Sequence, residues 1–253
     1  MNIDRLPTKL AKEPLLDVVF ECRFLSDSES SVTHILPNLF ITNSRYKLAK
    51  ILKLSNSEIP EEVRKKDVNL KYLPLVKVEL ENYDYFIGDN SYSISCKLPY
   101  KGWIHFKKEI LSSLEALEKS GVTKYVESYH MKYVDFLKAE SIEEQFKLVD
   151  VSVKIKQVEL HNEAYNLAIR RDKPSCTNII KVILGAEAII DGNEHHVRGI
   201  AIDIDTIKTV EGKLENVKGE IDQSLELMHK EGKKEFFSLL KSETLSNLEP
   251  FYE

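Results

Sequence analysis

A chain of 253 residues, 42% apolar and 30% charged with only 9 Gly and 8 Pro, can form one ordered globular domain or two small ones, and is not a disordered segment. Its formal net charge of −5 gives no global attraction to nucleic acid, and its three widely spaced cysteines (Cys22, Cys96, Cys176) match neither a disulfide framework nor a Cys-x-x-Cys metal pair. With no apolar signal core at its start and no apolar run of about 18 residues, a cytoplasmic protein with no membrane partner is expected.

The first element is a half-buried strand, "LLDVVFECRFL" (15–25). Leu16, Val18, Phe20, Cys22 and Phe24 share one face and Asp17, Glu21 and Arg23 the other, which makes Cys22 a core residue. "DSESSVTHILPNLF" offers helix caps and then a helix whose continuity Pro37 puts in question. Arg45 to Leu54, rich in Lys and Leu, reads as a second helical piece. The polar stretch 55–69 reads as a loop with a short helix after Pro60. "LPLVKVEL", "YDYFIGD" and "SYSISCKL" follow as an antiparallel meander, joined by turn-forming residues.

"GWIHFKKEILSSLEALEKSG" (102–121) is the best helix. Trp103, Phe106, Ile110, Leu114 and Leu117 recur at three- and four-residue spacing, and Gly121 is placed to end it. A strand over 124–137 puts Tyr125, Tyr129, Met131 and Tyr133 on one face. In the second half "LVDVSVKI" reads as a strand with Val149, Val151, Val153 and Ile155 inward, and "EAYNLAIRR" as the next. Strand 177–190, a hairpin and a long helix from about Leu214 to Lys241 complete the chain. On that helix Val217, Ile221, Leu225, Met228, Phe236 and Leu240 form one stripe, and Gly232 either weakens the helix or permits close packing. The fold expected is α+β: a curved, mainly antiparallel sheet of eight or nine strands carrying two long helices, in one domain with two pseudo-repeated halves (about 1–140 and 141–253).

"DGNEHHVRGIAIDID" (191–205) holds two adjacent histidines and two aspartates. Burying Ile180, Val182 and Leu184 together with Arg198, Ile200, Ile202 and Ile204 centres the turn on Asn193 and pairs Val182 with Ile204. His195 then lies roughly 26 Å along the strand from Asp203, so histidines and aspartates share no coordination sphere. Asp205 falls across from Lys181, and a cross-strand ion pair explains it. Asp203 and Asp205 remain the ligand pair of the alternative reading, a metal-dependent hydrolase or nuclease. His229, beside Met228, reads as a partly buried, hydrogen-bonded histidine.

No Gly-x-Ser-x-Gly, His-Glu-x-x-His, P-loop or kinase signature occurs, and no cofactor is implied. The basic clusters at 64–66, 170–173 and 233–234 are interleaved with acids, so a phosphate-binding groove is weighed but not favoured. A ligand cavity lined by Trp103, Tyr129 and Tyr133 is a third reading, and Arg170 and Arg171 complete the candidate binding residues.

"EPLLDVVFECRF", "YKGWIHF", "HMKYVDFL", "GIAIDID" and "LMHKEGKKEFFSLL…LEPFY" together span nearly the whole chain. In these the sequence resembles a sporadically distributed family of uncharacterised prokaryotic proteins of about this length. The resemblance implies a shared fold and carries over no catalytic residue. Its patchy distribution is similar to that of accessory genes in defence and toxin–antitoxin modules. The function expected is a non-enzymatic binding protein. It would act on another protein, or on itself as a homo-oligomer, through an exposed sheet face or edge and the cleft between the halves.

Overall fold

A computed structural model describes residues 6–26, 32–43, 49–189 and 196–252. In chain order, a two-residue strand β1 (Lys9–Leu10) precedes the long β2 (Leu15–Ser26), whose apolar face is buried as the alternation requires. Helix α1 (Val32–Asn43) runs through Pro37 without interruption. Next comes a strand, β3 (Lys50–Lys53), where the sequence indicated helix. Its pairing with β4 (Val76–Glu79) sets Ile51 beside Val78, so sheet hydrogen bonding overrides the helical propensity of Lys and Leu. The remainder of the segment before residue 49 lies outside the described residues. The loop between these strands holds the short helix α2 (Glu61–Lys66) directly after Pro60, as expected.

The meander follows as β4, β5 (Tyr83–Ile87) and β6 (Ser91–Cys96), then helix α3 (Trp103–Ser120), closed by Gly121 in the left-handed conformation at φ 64°. Strand β7 (Thr123–Lys138) leads into α4 (Ile142–Leu148). Of the strand expected over "LVDVSVKI" (148–155), Leu148 ends that helix and only Lys154–Ile155 is strand, in β8. A capping box starts α4: the Ser141 hydroxyl accepts from the Glu144 amide, and the Glu144 carboxylate accepts from the Ser141 amide. Val149 bridges Leu240 outside the main sheet, and Ile155 is exposed in the small hairpin of β8 (Lys154–Ile155) and β9 (Val158–Glu159).

Strands β10 (Asn166–Asp172), β11 (Thr177–Ile189) and β12 (His196–Lys213) come next. The expected turn at 190–195, with His195, lies outside the described residues. Arg198 is exposed rather than inward, because Gly199 and Ile200 are both buried and the strict alternation breaks there. The expected single helix from Leu214 is two: α5 (Leu214–Val217) and α6 (Ile221–Leu239), separated by a 3-10 turn carrying Gly219. Helix α7 (Ser242–Asn247) and β13 (Pro250–Phe251) end the chain, and β13 pairs antiparallel with β1.

The architecture is α+β: an open, nine-stranded antiparallel sheet in the order β10-β11-β12-β7-β2-β6-β5-β4-β3. The chain forms two compact units, interleaved along the sequence. Unit 1 comprises 1–16, 132–206 and 228–253; unit 2 comprises 17–131 and 207–227.

Unit 2 is built on aromatic packing. Phe20 stacks on Tyr129, and Phe40 of α1 meets Tyr85 and Tyr92 with ring centroids 4.6 and 5.2 Å apart. Helix α3 supplies Phe106, Ile110, Leu114 and Leu117, and hydroxyls lock it to the sheet. Tyr92 bonds Ser113 at 2.9 Å, and Tyr85 donates to Glu109 at 2.6 Å.

In unit 1, Ile180, Val182, Leu184, Ile200, Ile202 and Ile204 share one buried cluster, as the hairpin reasoning requires. Phe236, Phe237, Leu239 and Leu240 cover it from the end of α6 and the residue beyond. Gly232 permits close packing: a Cβ there would stand 3.3 Å from Thr206 Oγ1.

Candidate interaction surface

The strands of unit 2 that bury aromatics on one face present a second, polar face by the same alternation. The register sets Val19, Ser95, Asp84 and Glu79 in one row across β2, β6, β5 and β4. The adjacent row is Glu21, Ser93, Phe86 and Lys77. All eight side chains are half-buried, because they lie against one another. Lys77 Nζ bonds Glu79 at 2.9 Å and Asp84 at 3.0 Å, Lys97 reaches Asp84 from the other side at 3.2 Å, and Ser95 donates to Asp17 at 2.9 Å. Lys77 also stands 5.6 Å above the Phe86 ring. Burial alone would lower the Lys77 pKa, but its bonds to Glu79 and Asp84 outweigh that and raise it. The Lys77 hydrogen bond in turn holds the Glu79 carboxyl below its ordinary range.

One end of this face is closed by Tyr72. Arg23 stacks on its ring at 4.5 Å and Lys71 at 4.9 Å, while Tyr72 Oη and Lys71 Nζ both donate to Glu127. Arg23 is also bonded to Glu21. The result is a floor of Ser93, Ser95 and Phe86 between two charge clusters. Four cations (Arg23, Lys71, Lys77, Lys97) stand against five carboxylates (Asp17, Glu21, Glu79, Asp84, Glu127), a balance that offers phosphate no net attraction. Sequence reasoning did not single out this face, although the alternation of the meander carried the signal.

The residues singled out from sequence are engaged in separate interactions. Trp103, at the first turn of α3, donates its indole N–H to the Glu226 carboxylate at 3.1 Å, beside Lys107, which bonds Glu226 and Asp222. Tyr129 is buried against Phe20. Tyr133 bonds His229 Nδ1 at 2.8 Å, giving that histidine the half-buried, hydrogen-bonded place expected of it. Arg170 lies along β10 in an exposed pair with Asp172 at 2.9 Å.

Arg171 belongs to a denser network that fastens α6 to the β10–β11 turn. Glu235, with a side chain only 4% exposed, takes Arg171 and Lys173 at 2.7 Å each and the Asn178 amide at 3.0 Å. Lys173 also bonds Glu231 at 2.7 Å, and Lys234 binds the same carboxylate. Burial would raise both glutamates, but the bonds from Lys173, with Lys234 on one and Asn178 on the other, hold them below the usual range. Elsewhere in unit 1 the opposite holds: burial, with repulsion from Glu13, pushes the Asp135 carboxyl up to about 7.

On the sheet face away from this network, Asp203 carries two ammonium groups, Lys132 at 3.1 Å and Lys181 at 3.4 Å. Lys181 therefore reaches Asp203, whereas the sequence set it across from Asp205. Asp205 is half-buried. Among the described residues no three His, Cys, Asp or Glu side chains gather as a metal site would require. Cys22, Cys96 and Cys176 are buried free thiols, and burial pushes all three above the ordinary thiol range. No described helix is long and apolar enough to cross a membrane. No protein-family model matches the chain, and no curated protein shows significant similarity to it.

Proposed function

We propose that this is a non-enzymatic binding protein that receives a partner protein on the polar sheet face of unit 2. The observation that carries this reading is the state of the charges around Phe86 and the two serines. Asp84 is bracketed by Lys77 and Lys97, Glu21 by Arg23, and Glu127 by Lys71. A carboxylate so paired is a poor general base and a poor ligand, but it is pre-ordered for docking, where rim charges fix register and exclude wrong partners. The small side chains of Ser93 and Ser95 leave the centre of the face open to close approach. The balance of charge suits a polar protein surface better than nucleic acid. An accessory place in a prokaryotic defence or toxin–antitoxin-like module is the setting that the family resemblance suggests.

The test is co-purification from the organism that encodes the chain, with the parent and a Ser93→Lys, Ser95→Lys variant side by side. A partner retained by the parent and lost by a variant of unchanged melting temperature supports the reading. Equal recovery from both, or none from the parent, overturns it. The alternative hydrolase on Asp203 and Asp205 would need a cation where Lys132 and Lys181 already neutralise Asp203. It requires Mg²⁺ or Mn²⁺ to raise the melting temperature of the parent and not of the Asp203→Asn, Asp205→Asn double variant.

A further inference from the structure

Strand β10 is the end strand of the sheet, and its ladder to β11 runs unbroken from Asn166↔Ile183 to Asp172↔Thr177. The phase of that ladder is set at both ends. The Leu184 amide donates to the Tyr165 carbonyl, and the Lys173 amide donates to the Cys176 carbonyl, each at 2.9 Å. Residues 165, 167, 169, 171 and 173 thus turn their backbone groups toward β11. The even residues Asn166, Ala168, Arg170 and Asp172 turn theirs to the free edge. This edge is seven residues long and contains no proline and no glycine. It differs from the opposite edge strand, β3, which is four residues long with a lysine at each end.

We propose that this edge pairs antiparallel with β10 of a second copy of the chain, about a two-fold axis through Ile169. The strand is complementary to its own reverse in that register, the one that pairs all seven residues. Asn166 faces Asp172, an amide donor against a carboxylate. Ala168 faces Arg170, a small side chain leaving room for a large one. Leu167 lies beside the methylenes of Arg171, and Ile169 meets its own copy. The parity agrees as well: each outward-turned even residue faces another even residue, so their N–H and C=O groups bond directly. Leu167 and Ile169, half-buried in one chain, gain cover on the face that packs toward α6. The two Arg170 side chains come to lie diagonally, each already neutralised by Asp172 of its own chain. A foreign extended peptide would satisfy the backbone of this edge but not the pairing of its side chains.

The experiment uses the full chain. Sedimentation equilibrium is expected to give twice the chain mass at high micromolar concentration. Ala168→Pro removes an outward N–H and none of those bonded to β11, so it should weaken the dimer at least about tenfold with the melting temperature of the dilute monomer kept. Ile169 faces its copy across a non-hydrogen-bonded pair, where Cα atoms approach to about 4.5 Å, so Ile169→Cys should form an interchain disulfide on mild oxidation. Leu167→Cys, opposite Arg171, should not. A chain that stays monomeric with no trapping at position 169 overturns the proposal. So does a dimer indifferent to Ala168→Pro, or a monomer whose β10 edge takes up a foreign peptide. The Ser93→Lys, Ser95→Lys variant should dimerise as the parent does, which separates this result from the fate of the unit 2 face.

Discussion

Helix packing in the two units solves the same problem with different chemistry. In unit 2 the sheet meets α1 and α3 through aromatic rings, and the hydroxyls of Tyr85 and Tyr92 reach across from the sheet to α3. In unit 1 the end of α6 sits on aliphatic side chains, but the preceding turns are held by two buried glutamates and the cations that converge on them. Ring packing gains stability from area removed from water and responds weakly to pH and salt. A buried ionic clamp gains little net stability over an apolar substitute but is costly to break from one side, so it specifies where the helix lies more than how tightly.

The largest test of this contrast is Phe20→Ala, at a fully buried position between Tyr92 and Tyr129. Denaturant unfolding should show a loss of about 3–5 kcal/mol, and a loss below about 1 would remove aromatic packing as the main support of unit 2. Next is Glu235→Gln, which leaves Arg171 and Lys173 without their shared carboxylate. A loss of about 2–4 kcal/mol is expected, and it should shrink as pH falls below the ordinary carboxyl pKa of 4.5, where Glu235 of the unfolded chain takes up a proton, and be gone below the lowered pKa of the folded state.

Asp135 should behave with the opposite sign. Its folded pKa of about 7 lies above the ordinary 3.8, so its contribution favours the fold at low pH and fades as pH rises through 7. Asp135→Asn should therefore be more stable than the parent at pH 8, by on the order of 2 kcal/mol, with the gap narrowing by pH 5. A gap independent of pH between 5 and 8 would show that Asp135 ionises freely in the fold. The smallest effect is expected from Tyr92→Phe, which removes one buried hydroxyl while Ser113 keeps its bond to the Ile110 carbonyl. About 1 kcal/mol should be lost, and the loss should not vary with pH below 9.

Much of this architecture was legible from periodicity. The alternation around Phe20, the stripe on α3 and the Ile200–Ile202–Ile204 row each declared which side would be buried, because one face of each element had to leave water. What misled was local preference read without its neighbours. Lys50 to Lys53 has helical composition, yet it finds β4 alongside. Val149, Val151 and Val153 alternate like a strand, yet they are irregular apart from the bridge of Val149 to Leu240, and they follow directly on the helix that the Ser141–Glu144 capping box starts. That short signal could have been read from the spacing alone. The ionic clamp was invisible for another reason. Glu231 and Glu235 are one helical turn apart and plainly share a face, but nothing in the sequence says that the β10–β11 turn brings Lys173 between them. Of the candidate residues, Arg171 was found for a phosphate groove and turned out to hold a helix. The serines of β6 were passed over because serine carries no charge to attract notice.

The pairing of β1 with β13 has a practical consequence. Thr8 bonds Phe251, Ala11 bonds Glu249, and Lys12 makes both a backbone bond to Leu248 and an ion pair with Glu249. Residues 8–12 and 248–251 thus lie side by side on unit 1. A domain fused ahead of β1 and another fused after β13 would emerge side by side, close enough to report on each other by energy transfer. The same proximity makes the protein a candidate for circular permutation, with residues 8 and 251 joined and a new opening cut in the exposed loop around α2.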